Sequence, residues 1–371
     1  MALMEIEART LVTPRGVVES ARMMLPGEGS LYGETVVTPG FSDAHAHPQV
    51  IDAGEGTWSN AYEWIKNRKL KVDEAALRGD LDFSSKLAAA SMLRSLLEGV
   101  TLMVLVGRGD ANVLAYRKLS VKPRIVIMPT IMDLQAGWPD AWRATNLLLS
   151  VSALDGAIPL GFFIHSIGCV TPESLKVAYS AAKKLKVPFS IHLSEGVDEL
   201  PTLASLLNLR EGEDSGIIGV HCISGSGYKR YGIRVVHCPL SNLRLYGKTI
   251  KHPKEVDAIG SDWPLLLGSA AAAYTTAIKV HGKKWARYLL GKATLGGYEL
   301  FGIDWEGDVL IFDEPLEKVL EGCVSPRFVI INGDLVVEEG RLVKLGLGKK
   351  EVDKRIGELI KKAVEDYPAK R

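Results

Sequence analysis

From residue 35 onward, short apolar runs alternate with longer stretches of helical periodicity. The runs cover 35–39, 101–106, 124–128, 160–165, 188–192, 217–221, 234–237 and 256–261. They are rich in Val and Ile and lack a clean polar alternation, as expected of parallel strands buried on both faces. Between them, 84–98 has apolar residues at helical spacing and is stopped by Gly99. The stretch 172–186 repeats that pattern, with Thr171 as N-cap and Pro172 in the first helical position. Eight strand candidates with intervening helices fit a (β/α)8 TIM-type barrel, although a doubly wound open sheet gives the same alternation. The connection between the last two runs is short and has a poor helical pattern.

The chain ends read differently. The first 36 residues suggest short strands and turns, including a strand over 17–24, and alternating strand patterns return at 308–312, 327–332 and 335–338. These segments are expected to pair as a small β-sandwich domain formed from both chain ends. The layout is then 1–36 and 303–347 for that domain, 37–302 for the barrel and 348–371 for a C-terminal helix. In that helix Val352, Ile356, Leu359, Ile360 and Ala363 form one apolar stripe for packing on the body.

Composition narrows the function. A length of 371 residues accommodates one large barrel with an accessory domain. Forty-five basic and 44 acidic side chains nearly cancel, which argues against nucleic acid or an anionic membrane surface as the main partner. No apolar run has bilayer-spanning length and no secretory signal heads the chain, so a cytoplasmic protein is expected. Cys169, Cys222, Cys238 and Cys323 form no C-x-x-C pair and read as free thiols.

The histidines carry the chemistry. His45 and His47 lie two residues apart, so in an extended segment both rings point to one side and can reach one ion. His192, His221 and His237 each end an apolar run, and Asp262 follows the last one. In a parallel barrel all strand C-termini open on one face, which brings such distant residues together. Any one of them alone reads better as a hydrogen-bonded core or surface histidine; the set does not. Glu195, three residues past His192, is placed to carry protons at a bound substrate.

Several segments resemble the amidohydrolase superfamily, and its deaminase branch of adenosine-type, cytosine and triazine-type hydrolases most of all. They are VVTPGFSDAHAHP, IHLSEG, VHC at 220–222, VVHCPLSNLRLYGK, IGSDWP and the closing ATLGGYELFGI, GDVLIFD and FVIINGDLVVEEGRLV. The resemblance implies the barrel and its β domain. It implies that His45, His47, His192 and Asp262 bind one divalent metal ion, Zn2+ in the first instance and Fe2+ as the other candidate. Glu195, His221 and Asp262 would be catalytic, and His237, Ser241 and Asn242 would support the site. His165 would contact substrate. Relatives with two metals use a lysine or glutamate at strand four, and neither occurs between residues 157 and 170, so one metal is expected.

Trp58, Tyr62 and Trp64 are candidates to stack on a flat ring, and Gln49 is a further candidate substrate contact. The resulting expectation is a hydrolytic deaminase of an amino-substituted N-heterocycle, purine-, pyrimidine- or adenosine-like. The alternatives are an amidohydrolase that opens a cyclic amide or displaces another leaving group, and a non-catalytic binding protein on the same fold. A small heterocycle is the expected partner, and a homodimer one expected assembly. The trimmed loop 248–256 departs from the family pattern on the face that shapes substrate choice.

Overall fold

The computed structural model describes residues 3–13, 16–26, 30–31, 36–154, 158–322 and 324–369. Thr35, Ala157 and Cys323, all used in the sequence reading, lie outside them. The architecture is α/β with parallel sheets. Strands Phe41–Ala46, Val100–Leu105 and Arg124–Ile127 pair in that order. Six more, from Thr130–Ile131 through Phe162–Ile164, Phe189–Leu193, Ile217–His221 and Arg234–His237 to Ala258–Ile259, pair in chain order. Every pairing is parallel. Single parallel bridges run from Ala46 to Asp262 and from Ile127 to Leu160.

Periodicity explains the layers. Alternate strand residues such as Leu102, Val104, Val126, Phe163, Ile218, Val220 and Val236 pack into one buried cluster. Their neighbours, including Met103, Leu105, Ile125, Ile191 and Ile217, pack into another with the helices. The continuous apolar runs of the sequence are therefore strands with two buried faces. Helix Pro172–Leu185 begins as expected: the Thr171 side chain accepts from Ser174 N and Pro172 sits in the first turn. Helix Leu81–Leu97 likewise starts from Asp80, whose carboxylate accepts from Phe83 N.

The sequence suggested that the run at 35–39 is the first parallel strand; it is not part of that set. Val36–Pro39 runs parallel to Leu3–Thr13 and antiparallel to Val309–Phe312, within a nine-stranded sheet that also holds Gly16–Pro26, Ser30–Leu31, Phe328–Ile331 and Asp334–Glu338. The first strand of the parallel set is Phe41–Ala46, and the expected boundary at 36/37 falls inside the preceding strand. Pro39-Gly40 is the break. Gly40 N bonds Asp308 O at 2.9 Å and Phe41 N bonds Gly99 O at 3.1 Å, so the chain changes sheets there. A Cβ at Gly40 would sit 1.8 Å from Thr101 Oγ1, which leaves glycine the only fit. The strands from both chain ends form one continuous sheet, and the expected sandwich is not seen among the described residues.

Two features tie the peripheral elements to the parallel strands. Asp308, buried, ion-pairs with Arg124 at 2.8 Å and accepts from Tyr298 Oη at 2.6 Å. The last helix, Lys349–Asp366, buries Val352, Ile356 and Ala363, and it packs on Leu81–Leu97. Removing three carbons of a buried side chain costs its transfer energy plus a cavity. Ile356→Ala is therefore expected to lower unfolding free energy by about 2–5 kcal/mol, read by chemical denaturation. No helix among the described residues is long and apolar enough to cross a membrane.

Candidate active site

The strand ends converge as the parallel topology requires. His45 lies in Phe41–Ala46 and His47 just beyond it, while His192 and His221 sit at or near the ends of their strands. Ser194, His221, Cys222 and Asp262 all have positive φ, at 56°, 73°, 47° and 63°. Non-glycine residues rarely adopt this conformation, and here four turn the chain at one rim. Asp262 is tied to the first strand by its backbone: its N–H bonds His45 O at 2.9 Å, and His47 N–H bonds its carbonyl at 2.6 Å.

Four donor atoms meet at the centre. His45 Nε2 and His47 Nε2 lie 3.0 and 3.4 Å from His192 Nε2, and 3.5 and 3.6 Å from Asp262 Oδ1. Ligands on a tetrahedral zinc, with bonds of about 2.0–2.1 Å, stand roughly 3.3 Å apart, so the set fits such an ion. Ligating atoms of His45, His192, His221 and Asp262 also lie within 4.8 Å of one another, which places His221 beside the same point. Burial lowers the pKa of His45, His47 and His192, so these rings are neutral and offer lone pairs. Asp262 Oδ1 is fully buried with no hydrogen-bond partner. A buried carboxylate oxygen facing bare ring nitrogens is costly on its own, and a cation relieves that cost. The cluster is consistent with a single divalent metal ion.

Glu195 stands next to the cluster. Its Oε1 accepts from Tyr246 Oη at 2.8 Å and lies 3.6 Å from His221 Nε2, while Oε2 lies 3.8 Å from His192 Nδ1. Burial raises its pKa, and the charge of Asp262 adds to this, against an opposing pull from His221 and Tyr246. His221 Nδ1 is 2.7 Å from Asn242 Oδ1, and Asn242 Nδ2 donates to Thr249 Oγ1 at 3.0 Å. Because a carbonyl oxygen only accepts, His221 Nδ1 carries a proton. Thr249 Oγ1 then lies 3.4 Å from His237 Nδ1, so Asn242 and His237 are linked to the site through His221. Ser241 is not: its hydroxyl turns back to Cys238 O at 3.3 Å.

The cavity above the cluster is lined by His47, Gln49, His165, His192, Glu195 and Asp262, with Trp64 and Trp263 in its wall. His165 and Gln49 both line it, and Gln49 Nε2 donates to Asn112 Oδ1 at 2.5 Å. Trp58 is not. It is half-buried and lines a neighbouring cavity with Arg244 and Leu267. Trp64 takes the wall position, its rings 5.5 Å from Trp263 and its Nε1 held by Ala53 O at 2.9 Å. Tyr62 instead gives its hydroxyl proton to Glu199. Sequence reading missed Tyr246 and Trp263, although both lie inside segments quoted for the resemblance.

With this geometry in view, comparison with known proteins is informative. The Amidohydrolase family model matches residues 36–309. The chain belongs to the amidohydrolase family. It is similar to 5-methylthioadenosine/S-adenosylhomocysteine deaminases: 20% identical to that of Natronomonas pharaonis, over 99% of this chain and 100% of the relative. With that of Thermotoga maritima it shares 26% identity, over 57% of this chain and 52% of the relative. Among solved structures, an adenosine deaminase from Xanthomonas campestris with bound zinc aligns with TM-score 0.77 at 17% identity, covering 98% of each chain. Zinc-complexed atrazine chlorohydrolase from Arthrobacter aurescens TC1 aligns with TM-score 0.77 at 16% identity, over 96% of this chain and 100% of that one. At such identities these likenesses establish the shared fold of this amidohydrolase-family enzyme.

Proposed function

We propose that this amidohydrolase is a zinc-dependent deaminase that hydrolyses an amino-substituted, adenosine-like N-heterocycle and releases ammonia. The observation that carries the reading is the convergence of His45 Nε2, His47 Nε2, His192 Nε2 and Asp262 Oδ1 to spacings of 3.0–3.6 Å beside the buried Glu195. In this reading the nine parallel strands and their two bridges close a (β/α)8-type barrel around residues 41–302, with the sheet from both chain ends as its β domain. The deaminase names of the relatives support the reaction class.

His45, His47, His192 and Asp262 would hold the ion, which would supply a water ionised near neutral pH. The residues then divide the protons. Asp262 takes one proton from the attacking water. Glu195, in its protonated form, gives its proton to the ring nitrogen beside the attacked carbon, where it stays in the product. Glu195 then moves the second water proton to the departing ammonia, and Asp262 returns its proton to Glu195 through solvent. His221, its ring oriented by Nδ1 donating to Asn242, stands beside the attacking oxygen. His165, Gln49, Trp64 and Trp263 bound the ring site.

The test pairs metal analysis with an ammonia-release screen over adenosine, 5′-methylthioadenosine, guanine, cytosine and aminotriazines. About one zinc per chain and ammonia from an adenine-bearing compound are expected. Cyclic-amide opening with no ammonia release would replace the proposal with the ring-opening alternative, and a metal-free, zinc-indifferent protein would remove it.

A further inference from the structure

Tyr246 has no role in the reading above, yet its hydroxyl makes the shortest contact to Glu195. It is the last residue of helix Pro239–Tyr246, which Gly247 ends in the left-handed conformation at φ 61°. The helix end is pinned to the loop across the site: Trp58 N–H bonds Leu245 O at 2.7 Å, and Arg244 bonds Gly56 O and Gly54 O at 3.2 and 3.3 Å. The phenol ring is buried among Ala53, Trp64, Leu245 and Trp263. Glu195 lines the cavity and Tyr246 does not. The hydroxyl therefore reaches Glu195 from outside the substrate space.

We propose that Tyr246 is a positioning residue: its hydroxyl fixes Glu195 by Oε1 and so makes Oε2 the oxygen that carries and delivers the proton. The inference rests on Glu195 being the proton carrier. A phenol has one proton to give, and an apolar pocket offers no other acceptor for it. If Glu195 donated to the phenol oxygen instead, the Tyr246 proton would be buried without a partner, at the cost of a lost hydrogen bond. So the phenol donates to Oε1 at 2.8 Å. With Oε1 taken up by that hydrogen bond, a proton carried by Glu195 sits on Oε2.

The main chain of Glu195 is held separately. Its carbonyl accepts from Ala61 N at 3.0 Å, and the following Gly196, at φ 98°, packs where a Cβ would lie 2.2 Å from Ser59 O. Backbone and carboxyl are thus fixed by different elements, and Tyr246 removes the side-chain rotation that remains. A glutamate free to rotate loses part of its time in unproductive geometry, which lowers turnover rather than binding.

The test is Tyr246→Phe, which keeps the ring and removes one oxygen, assayed on the best substrate of the ammonia screen. Turnover is expected to fall about tenfold to a hundredfold, with KM within about twofold, zinc content unchanged and the melting temperature close to wild type. The discriminating readout is the double variant. In a Glu195→Gln background, Tyr246→Phe should cost little more, because the group it positions has lost its proton. Unchanged turnover in Tyr246→Phe, or losses that multiply in the double variant, would overturn the inference. If Glu195→Gln alone keeps near-normal turnover, it is instead the assignment of Glu195 that fails.

Discussion

Asp262→Asn is expected to abolish zinc retention and to cut turnover by more than about a thousandfold. The substitution is nearly isosteric, and asparagine tolerates the left-handed backbone at φ 63° that Asp262 occupies. The backbone bonds to His45 and His47 do not involve the side chain and should persist. What is lost is the only carboxylate in the ligand set, Oδ1 being 3.5 and 3.6 Å from the two imidazole nitrogens. The two proteins separate when zinc is added. At a concentration a hundredfold above its dissociation constant, zinc stabilises wild type by about 2.7 kcal/mol. The variant should gain nothing at that concentration. Thermal melts with and without zinc, together with metal analysis, read both effects. A variant that keeps one zinc per chain would exclude Asp262 as a ligand.

Glu195→Gln is expected to separate metal binding from chemistry. Gln keeps the acceptor for Tyr246 Oη, and Glu195 stands outside the tight donor set, 3.8 Å from His192 Nδ1. Zinc content and melting temperature should therefore match wild type. Turnover should fall by about two to four orders of magnitude, the usual worth of a placed general acid–base. KM should change far less, since an amide of the same shape still lines the cavity. Steady-state kinetics and metal analysis on one preparation check this. Loss of zinc along with activity would instead make Glu195 part of the ion's own cage.

The parts of the site that were legible in the sequence are those fixed by strand topology. His192 and His221 end apolar runs, and parallel pairing carries such ends to one rim whatever the loops do. The spacing of His45 and His47 is a property of extended chain, so it too survives folding. Side chains placed by loops and short helices were not legible. Trp58, Tyr62 and Trp64 look equivalent in sequence, but only Trp64 faces the cavity, because the loop turns Trp58 to its far side and Tyr62 to Glu199. Tyr246 escaped notice because its contact with Glu195 crosses 51 residues and depends on where a two-turn helix stops. In the fold, the run 35–39 reads as the first barrel strand. The pairing on either side of Gly40 instead puts 36–39 and 41–46 in different sheets.

The seam between first and last parallel strands has a consequence for how the protein is made. Asp43 accepts from the backbone and hydroxyl of Ser261 across 218 residues, and the neighbouring Asp262 closes the ligand set. A nascent chain on the ribosome thus exposes His45, His47 and His192 long before their carboxylate partner emerges. With these four residues as its ligands, an ion would be captured in full only after the last of these strands is synthesised, so metal loading would follow the pairing of first and last strands.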